Sequence, residues 1–306
     1  VLPVAGAVAQ PRGLPWWTST VSPCVIESRN GPPAYLGGWA PRAGAWGRAR
    51  DGAGRAFVRT FKHAVWIAHR RRLRRLGFAA PYRANGDEAI YSPAVILGLG
   101  MAELEFPRTW PAAFRFIGPV LHTPPSVAPP LALEPGRPHV LVTFGTQLPW
   151  IKAPMAAAAA AIAEALPEAV VHFTDGRPDA RTAAARDNFR RHAYVPYDRE
   201  LPRFALVVHH GGTGIMYHCI RAGVPSVVLP ADYDHFDHAA RIAHAGIGLR
   251  ARRPAELPAL ARRALADGRL RENTRRLQHA LAAYDPGATL RELFARRIGF
   301  AASSAP

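Results

Sequence analysis

Lysine and cysteine are nearly missing from this chain. All but two of its 39 basic residues are arginines, the exceptions being Lys62 and Lys152. The only cysteines, Cys24 and Cys219, lie far apart. Two such thiols build neither a disulfide framework nor a zinc site, and a reducing, cytoplasmic home is the expectation. No apolar run approaches the ~20 residues that a membrane-spanning helix needs. The opening VLPVAGAVA is apolar, but it lacks the basic residues that begin a secretory signal. No methionine starts the chain, which fits a chain that begins in the middle of something. The 26 glycines and 30 prolines follow no period, so they mark loops and exclude a fibrous repeat.

Hydrophobic residues fill 49% of the 306 positions. That is enough for a sizeable core and most naturally two domains, and it excludes a disordered chain. The formal charge of +17 admits nucleic acid, acidic membranes or phosphate-bearing ligands as partners. The arginines are scattered, however, many beside alanine on apparent helix faces. Such a balance argues solubility, and no nucleic-acid partner is expected. The densest cluster, Arg70, Arg71, Arg72, Arg74 and Arg75, ends a helical stretch from about Arg55 to Leu76, where cations suit the helix dipole. A peripheral membrane contact through that helix is the alternative reading.

Four segments follow from pattern and composition. Residues 1–122 mix short apolar strands, Leu14–Val21 and Ala94–Leu99, with the basic helix. Residues 123–138, TPPSVAPPLALEPGRP, have the composition of a semi-rigid linker. Residues 139–285 alternate regularly, with strands at 139–144, 169–173, 205–209 and 226–229. Helices are expected at 151–166, from the GGTG turn to about Ala222, and at 234–245, 255–266 and 270–283. Residues 286–306 add a last helix, 287–297, and a tail. Strands alternating with helices imply a parallel sheet covered on both faces, an α/β domain, whose ligands bind beyond the carboxyl ends of the strands.

The informative stretch runs from Val207 to Gly248. A buried strand ends in His209 and His210, and Gly211-Gly212-Thr213-Gly214 then opens a helix. Glycines allow close approach of the backbone. Free N–H groups and the positive end of the dipole make a helix start attractive to anions. Thr213 adds a hydroxyl, and His209 adds a hydrogen-bond donor or a charge. Glycines alone are weak, since a tight strand-to-helix turn needs them too, and the pattern is neither a P-loop nor GxGxxG. The next junction strengthens the reading. Val224-Pro225 leads a strand ending at Pro230, and Asp234-His235 stands at the following helix start. An aspartate there accepts from two hydroxyls, which suits a sugar ring, or caps the helix.

This stretch resembles the donor-site signature of the UDP-glycosyltransferase superfamily. The signature reads His-x-Gly-Gly-x-Gly, then Gly-x-Pro, then Pro-x-x-x-Asp-Gln. His209, Gly211, Gly212, Gly214, Gly223, Pro225, Pro230, Asp234 and Ala239 fall in register. Phe144-Gly145-Thr146, Tyr194-Val195-Pro196-Tyr197, Glu105-Phe106-Pro107-Arg108 and Phe116-Ile117-Gly118-Pro119 resemble other landmarks, in order. The resemblance implies a GT-B fold of two Rossmann-like domains, the N-terminal one incomplete. It implies a glycosyltransferase that moves a hexose from a UDP or dTDP sugar to the hydroxyl of a small-molecule or lipid acceptor, inverting and without metal or cofactor. By the same resemblance His209, Gly211, Gly212, Thr213, Gly214 and Thr146 hold the diphosphate. Tyr194 and Val195 meet the base, and Asp234 and His235 hold the sugar.

Three departures stand out. Ile215 replaces a frequent threonine. His235 and His238 replace the family's glutamine and asparagine where the sugar is read. The family's N-terminal histidine, its general base, has no counterpart before Trp16, so the base is expected upstream of Val1. Asp232-Tyr233-Asp234 is a DxD string, but its place after a GT-B donor strand argues against a metal. His209, His210, His218, His235, His238 and His244 lack the spacing of a closed zinc site and read as scattered surface residues. Two alternatives remain on the same fold: a non-catalytic nucleotide-sugar binding remnant and a sugar-nucleotide epimerase.

Overall fold

The computed structural model describes residues 3–124, 130–145, 149–177 and 183–298. The described chain forms two compact units. One runs to Val120 and resumes at Ala282, and the other spans Leu121–Leu281.

The first unit opens with a short helix, α1 (Pro3–Ala9). A three-stranded parallel sheet follows, in the order β1 (Trp17–Thr20), β2 (Val95–Gly98), β3 (Phe114–Phe116). Trp17 pairs with Val95, and Ile96 with Phe114. The expected strands at 14–21 and 94–99 are present in shortened form. β3 is not among the strands expected from the sequence, and its last residue opens the landmark Phe116-Ile117-Gly118-Pro119. Helix α2 (Gly44–Arg75) starts well before Arg55. Its glycines argue against a helix by propensity, but Gly47 and Gly54 are places of close packing. A Cβ on Gly54 would stand 2.8 Å from Pro33 and Trp39.

The chain returns to this unit at its end. Tyr284 Oη accepts from the Ala102 N–H at 3.0 Å and donates to Glu103 at 2.9 Å. On α9 (Pro286–Ile298), Leu290 and Leu293 pack on Val95, Leu97 and Ile117. Trp17 and Phe294 stack with centroids 4.5 Å apart.

The second unit is built on a seven-stranded sheet, best given in chain order with its helices. β4 (His139–Thr143) leads to α3 (Lys152–Ala165) and β5 (Val170–Thr174). A hairpin, β6 (Ala183–Arg186) and β7 (Phe189–His192), precedes the short α4 (Tyr197–Glu200). Then come β8 (Leu206–His209), α5 (Thr213–Ala222), β9 (Ser226–Val228), α6 (His235–His244), β10 (Gly248–Arg250), α7 (Leu257–Ala266) and α8 (Gly268–Ala282). The strand order is β10-β9-β8-β4-β5-β7-β6. All neighbours are parallel except β6 and β7.

Alternate residues of the buried strands serve opposite faces. Val140, Val142, Val171 and Val208 join α3 and α7 in one cluster, while Leu141 and Val207 join Ile215 and Cys219 of α5 in another. The alanine-rich α3 has high helix propensity and ends just before Pro167. Among the described residues no helix is long and apolar enough to cross a membrane.

Candidate functional site

The carboxyl ends of β4, β8 and β9 meet around one pair of turns. β8 delivers His209, which is completely buried. Its Nδ1 accepts a hydrogen bond from the Gly211 N–H at 3.0 Å. That bond fixes the proton on Nε2. Nε2 is itself buried and has no partner among the described residues. An unmet donor in a dry site is costly, so its presence needs a reason. Burial, then the neighbouring His210, His235 and His238, holds this imidazole far below its ordinary pKa. His209 is therefore neutral. Of the two roles the sequence left open, a hydrogen-bond donor or a charge, His209 is suited to the first, as a neutral N–H.

Gly212, extended at φ −62° and ψ 145°, leads into α5, and no side chain caps that helix start. Thr213 is half-buried and Gly214 exposed, with open space where a Cβ on Gly214 would lie. Gly211 has φ +93°, and a Cβ there would press on the His235 carbonyl at 3.0 Å. Only glycine suits both demands. The His238 Nδ1–H donates to the Gly211 carbonyl at 2.8 Å, and the His210 and His235 rings meet edge to face at 4.8 Å. The two strand-to-helix turns singled out in the sequence are thus bonded into one site.

Asp234 and His235 stand at the start of α6. The alternative in which the Asp234 side chain caps the helix is not realised. His235 Nδ1 accepts from the Asp232 N–H at 3.1 Å, and Asp232 Oδ1 from the Tyr233 N–H at 2.8 Å. The DxD string is thus a tight turn, with Tyr233 at φ 40°. Val195 is buried against Ile215, the position of the family's threonine, which here belongs to the core. Tyr194 beside it is half-buried, and burial raises the pKa of its hydroxyl. Thr146 lies outside the described residues.

The reading of the six histidines as surface residues holds for His244, which is exposed, and is corrected for four others. His209, His210, His218 and His238 are buried, because they sit at the ends of buried strands or on inward helix faces. The imidazole of His210 is wedged between Gly145 and Gly212. Its pKa is pushed down to about 3 by burial, then by His235 and Lys152. Sequence reasoning assigned no role to His210 or Lys152, and named His238 only as standing in the place of the family's asparagine. The rarity of lysine was a signal that pointed to Lys152. It also missed the bond between Thr143 Oγ1 and Tyr197 Oη, 2.8 Å, which ties β4 to α4. Among the described residues no three histidine, cysteine or acidic side chains converge as a metal site. In the first unit a surface concavity is lined by Glu27, Arg55, Arg59 and Asn85. Glu27 there pairs with Arg59 at 3.2 Å and Lys62 at 2.8 Å, so its charge is already balanced.

Residues 157–293 match the family model described as erythromycin biosynthesis protein CIII-like, C-terminal domain. The O-mycaminosyltylonolide 6-deoxyallosyltransferase of Streptomyces fradiae is 32% identical, over 88% of this chain and 63% of that protein. The 4'-demethylrebeccamycin synthase of Lentzea aerocolonigenes is 30% identical, over 92% of this chain and 68% of its own length. The chain belongs to the UDP-glycosyltransferase superfamily. The crystal structure of the glycosyltransferase VinC in complex with dTDP superposes with a TM-score of 0.54. It is 27% identical, over 65% of this chain and 51% of VinC. The fold of this superfamily member is GT-B, and the chain spans about two thirds of the length of these two curated relatives.

Proposed function

We propose that this chain carries the donor site of a glycosyltransferase. The enzyme moves a hexose from a dTDP or UDP sugar to a hydroxyl of a small-molecule acceptor, with inversion and without a metal. The observation that carries the reading is the unpartnered, buried Nε2–H of His209 beside the uncapped start of α5. A phosphate oxygen satisfies that donor, and the N–H groups of Gly212, Thr213 and Gly214 with the Thr213 hydroxyl complete the cradle, while the Gly211 N–H holds the His209 ring in place. Thr146 adds a further hydroxyl. Asp234 and His235 hold the sugar from the adjoining turn, and Tyr194 with the Val195 backbone meets the base. The 6-deoxyallosyltransferase of Streptomyces fradiae and the dTDP bound to VinC support the donor class.

In the reaction the acceptor oxygen attacks the anomeric carbon from the face opposite the diphosphate. The bond from that carbon to the phosphate oxygen breaks, and the leaving diphosphate takes its electron pair. Fixed N–H donors aimed at the developing charge lower the barrier in the place of a cation. A base removes the acceptor proton, and no described residue is assigned that role.

The test is calorimetry with dTDP and UDP in the presence of EDTA. Asparagine at 209 keeps an acceptor near the Nδ1 position and loses the distal donor. His209→Asn is therefore expected to weaken binding roughly tenfold, the worth of a hydrogen bond to a charged group. Equal affinities would remove His209 from the site. Binding that requires Mg²⁺ would overturn the metal-free reading.

A further inference from the structure

Lys152 is the first residue of α3, a position at which a cation opposes the helix dipole. Its side chain is more than half desolvated, and that burial lowers its pKa to about 8, partly offset by Asp175 and reinforced by Arg177. The ammonium donates to the Gly145 carbonyl at the end of β4. It also closes on Gly176 at the end of β5, where a Cβ would lie 3.4 Å from Nζ. Among the described residues no carboxylate reaches ion-pair distance of it. The nearest acid by charge, Asp175, is held by both Nε and Nη2 of Arg191, at 3.0 and 2.9 Å. On its other side Gly145 meets the His210 ring, which in turn lies against Gly212 and the start of α5.

A half-buried cation with no carboxylate partner among the described residues breaks the usual rules of helix charge and burial, and such departures concentrate where a ligand supplies the missing partner. Arginine fills nearly every other basic position of this chain. A compact ammonium at this one keeps the point charge that suits a phosphate oxygen and needs less room.

We propose that Lys152 is a phosphate-binding residue of the donor site, its ammonium neutralising the nucleoside diphosphate from the side opposite the α5 helix start. The proposal rests on the donor-site reading above and adds a residue to it. Lys152 turns from the Gly145 carbonyl to a phosphate oxygen, and the incoming dianion keeps it protonated.

The experiment compares the parent chain with Lys152→Met and Lys152→Arg by calorimetry, using dTDP, dTMP and thymidine. Lys152→Met removes a buried charge, so the fold is expected to persist, and thermal melting checks it. The methionine variant is expected to lose ten- to a hundredfold in dTDP affinity, less for dTMP, and nothing for thymidine. Lys152→Arg should recover part of the loss. A pH series gives a second readout. The groups facing Nζ are Asp175 and Arg177 beyond β5, the neutral His210 beyond β8, and the Gly145 carbonyl. Parent affinity for dTDP should fall as pH rises through about 8, while the methionine and arginine variants stay flat. A parent chain that binds neither dTDP nor UDP would sink the donor-site reading itself. Parent binding that His209→Asn weakens and Lys152→Met leaves unchanged would overturn the Lys152 proposal alone.

Discussion

Gly212 lies so close to the His210 imidazole that a methyl group on its Cα would stand 2.4 Å from Nε2. Gly145 confines the same ring from the end of β4, its Cβ position being 2.9 Å from Cε1. The two glycines serve different needs. Gly145 has φ +66° and must be glycine for its backbone as well. Gly212 has ordinary dihedrals, so only space excludes a side chain there.

Gly212→Ala is therefore expected to displace the His210 ring and disturb the α5 start. Overpacking of this kind costs about 1–3 kcal/mol of stability, and the displaced ring and helix start are expected to weaken dTDP binding as well. The clash is with one side chain, so the double variant Gly212→Ala, His210→Ala should regain much of it. Calorimetry on the three proteins decides. A double variant as weak as the single one would show that His210 is not the obstacle.

His235 takes the position of the superfamily's glutamine, and its Nδ1 is engaged by the Asp232 N–H. Its ring meets that of His210 edge to face. His235→Gln is expected to change the ranking of sugar nucleotides while leaving free UDP and dTDP within about twofold, since the diphosphate is held one turn away. Competition of dTDP-glucose and dTDP-deoxysugars against labelled dTDP measures this. If free dTDP lost as much affinity as the sugar nucleotides, His235 would belong to the phosphate cradle.

Most of the second unit was legible because its strands are buried on both faces and so read as continuous apolar runs. The expected strands and helices of residues 139–283 lie within two residues of the observed ones. β7, with the sequence FRRH, escaped because an edge-side strand has no such signature. In the first unit α2 was truncated at its glycines, because propensity knows nothing of Pro33 and Trp39 closing on Gly54. At the site, the spacing of His209, the glycines and Asp234 was readable. The burial of His210 and His238 was not, since it depends on which strand ends meet.

The acid limit of stability follows from the buried histidines. His139, His172 and His192 form a chain across β4, β5 and β7, with Nδ1 of His139 2.9 Å from Nε2 of His172, and Nδ1 of His172 2.9 Å from Nε2 of His192. His139 Nε2–H donates to the Glu134 carbonyl at 3.0 Å. Each Nδ1 must therefore accept, and each Nε2 carries the single proton of a neutral ring. Burial, then the neighbouring His192 and His139, pushes the pKa of His172 down to about 3, and that of His210 is likewise about 3. Groups of this kind favour the fold while neutral. Their contribution is complete above the unfolded histidine value, ~6.5, and is lost as pH falls below it. Each costs about 1.4 kcal/mol per pH unit, so His172 and His210 together should remove roughly 3 kcal/mol by pH 5.5, a large share of a typical stability. Thermal melts between pH 8 and pH 5 test this. The expected result is a plateau at the alkaline end and a steady fall in Tm below pH 6.5. A profile flat to pH 5 would mean that these imidazoles charge in place, and the neutral chain across β4, β5 and β7 would be wrong.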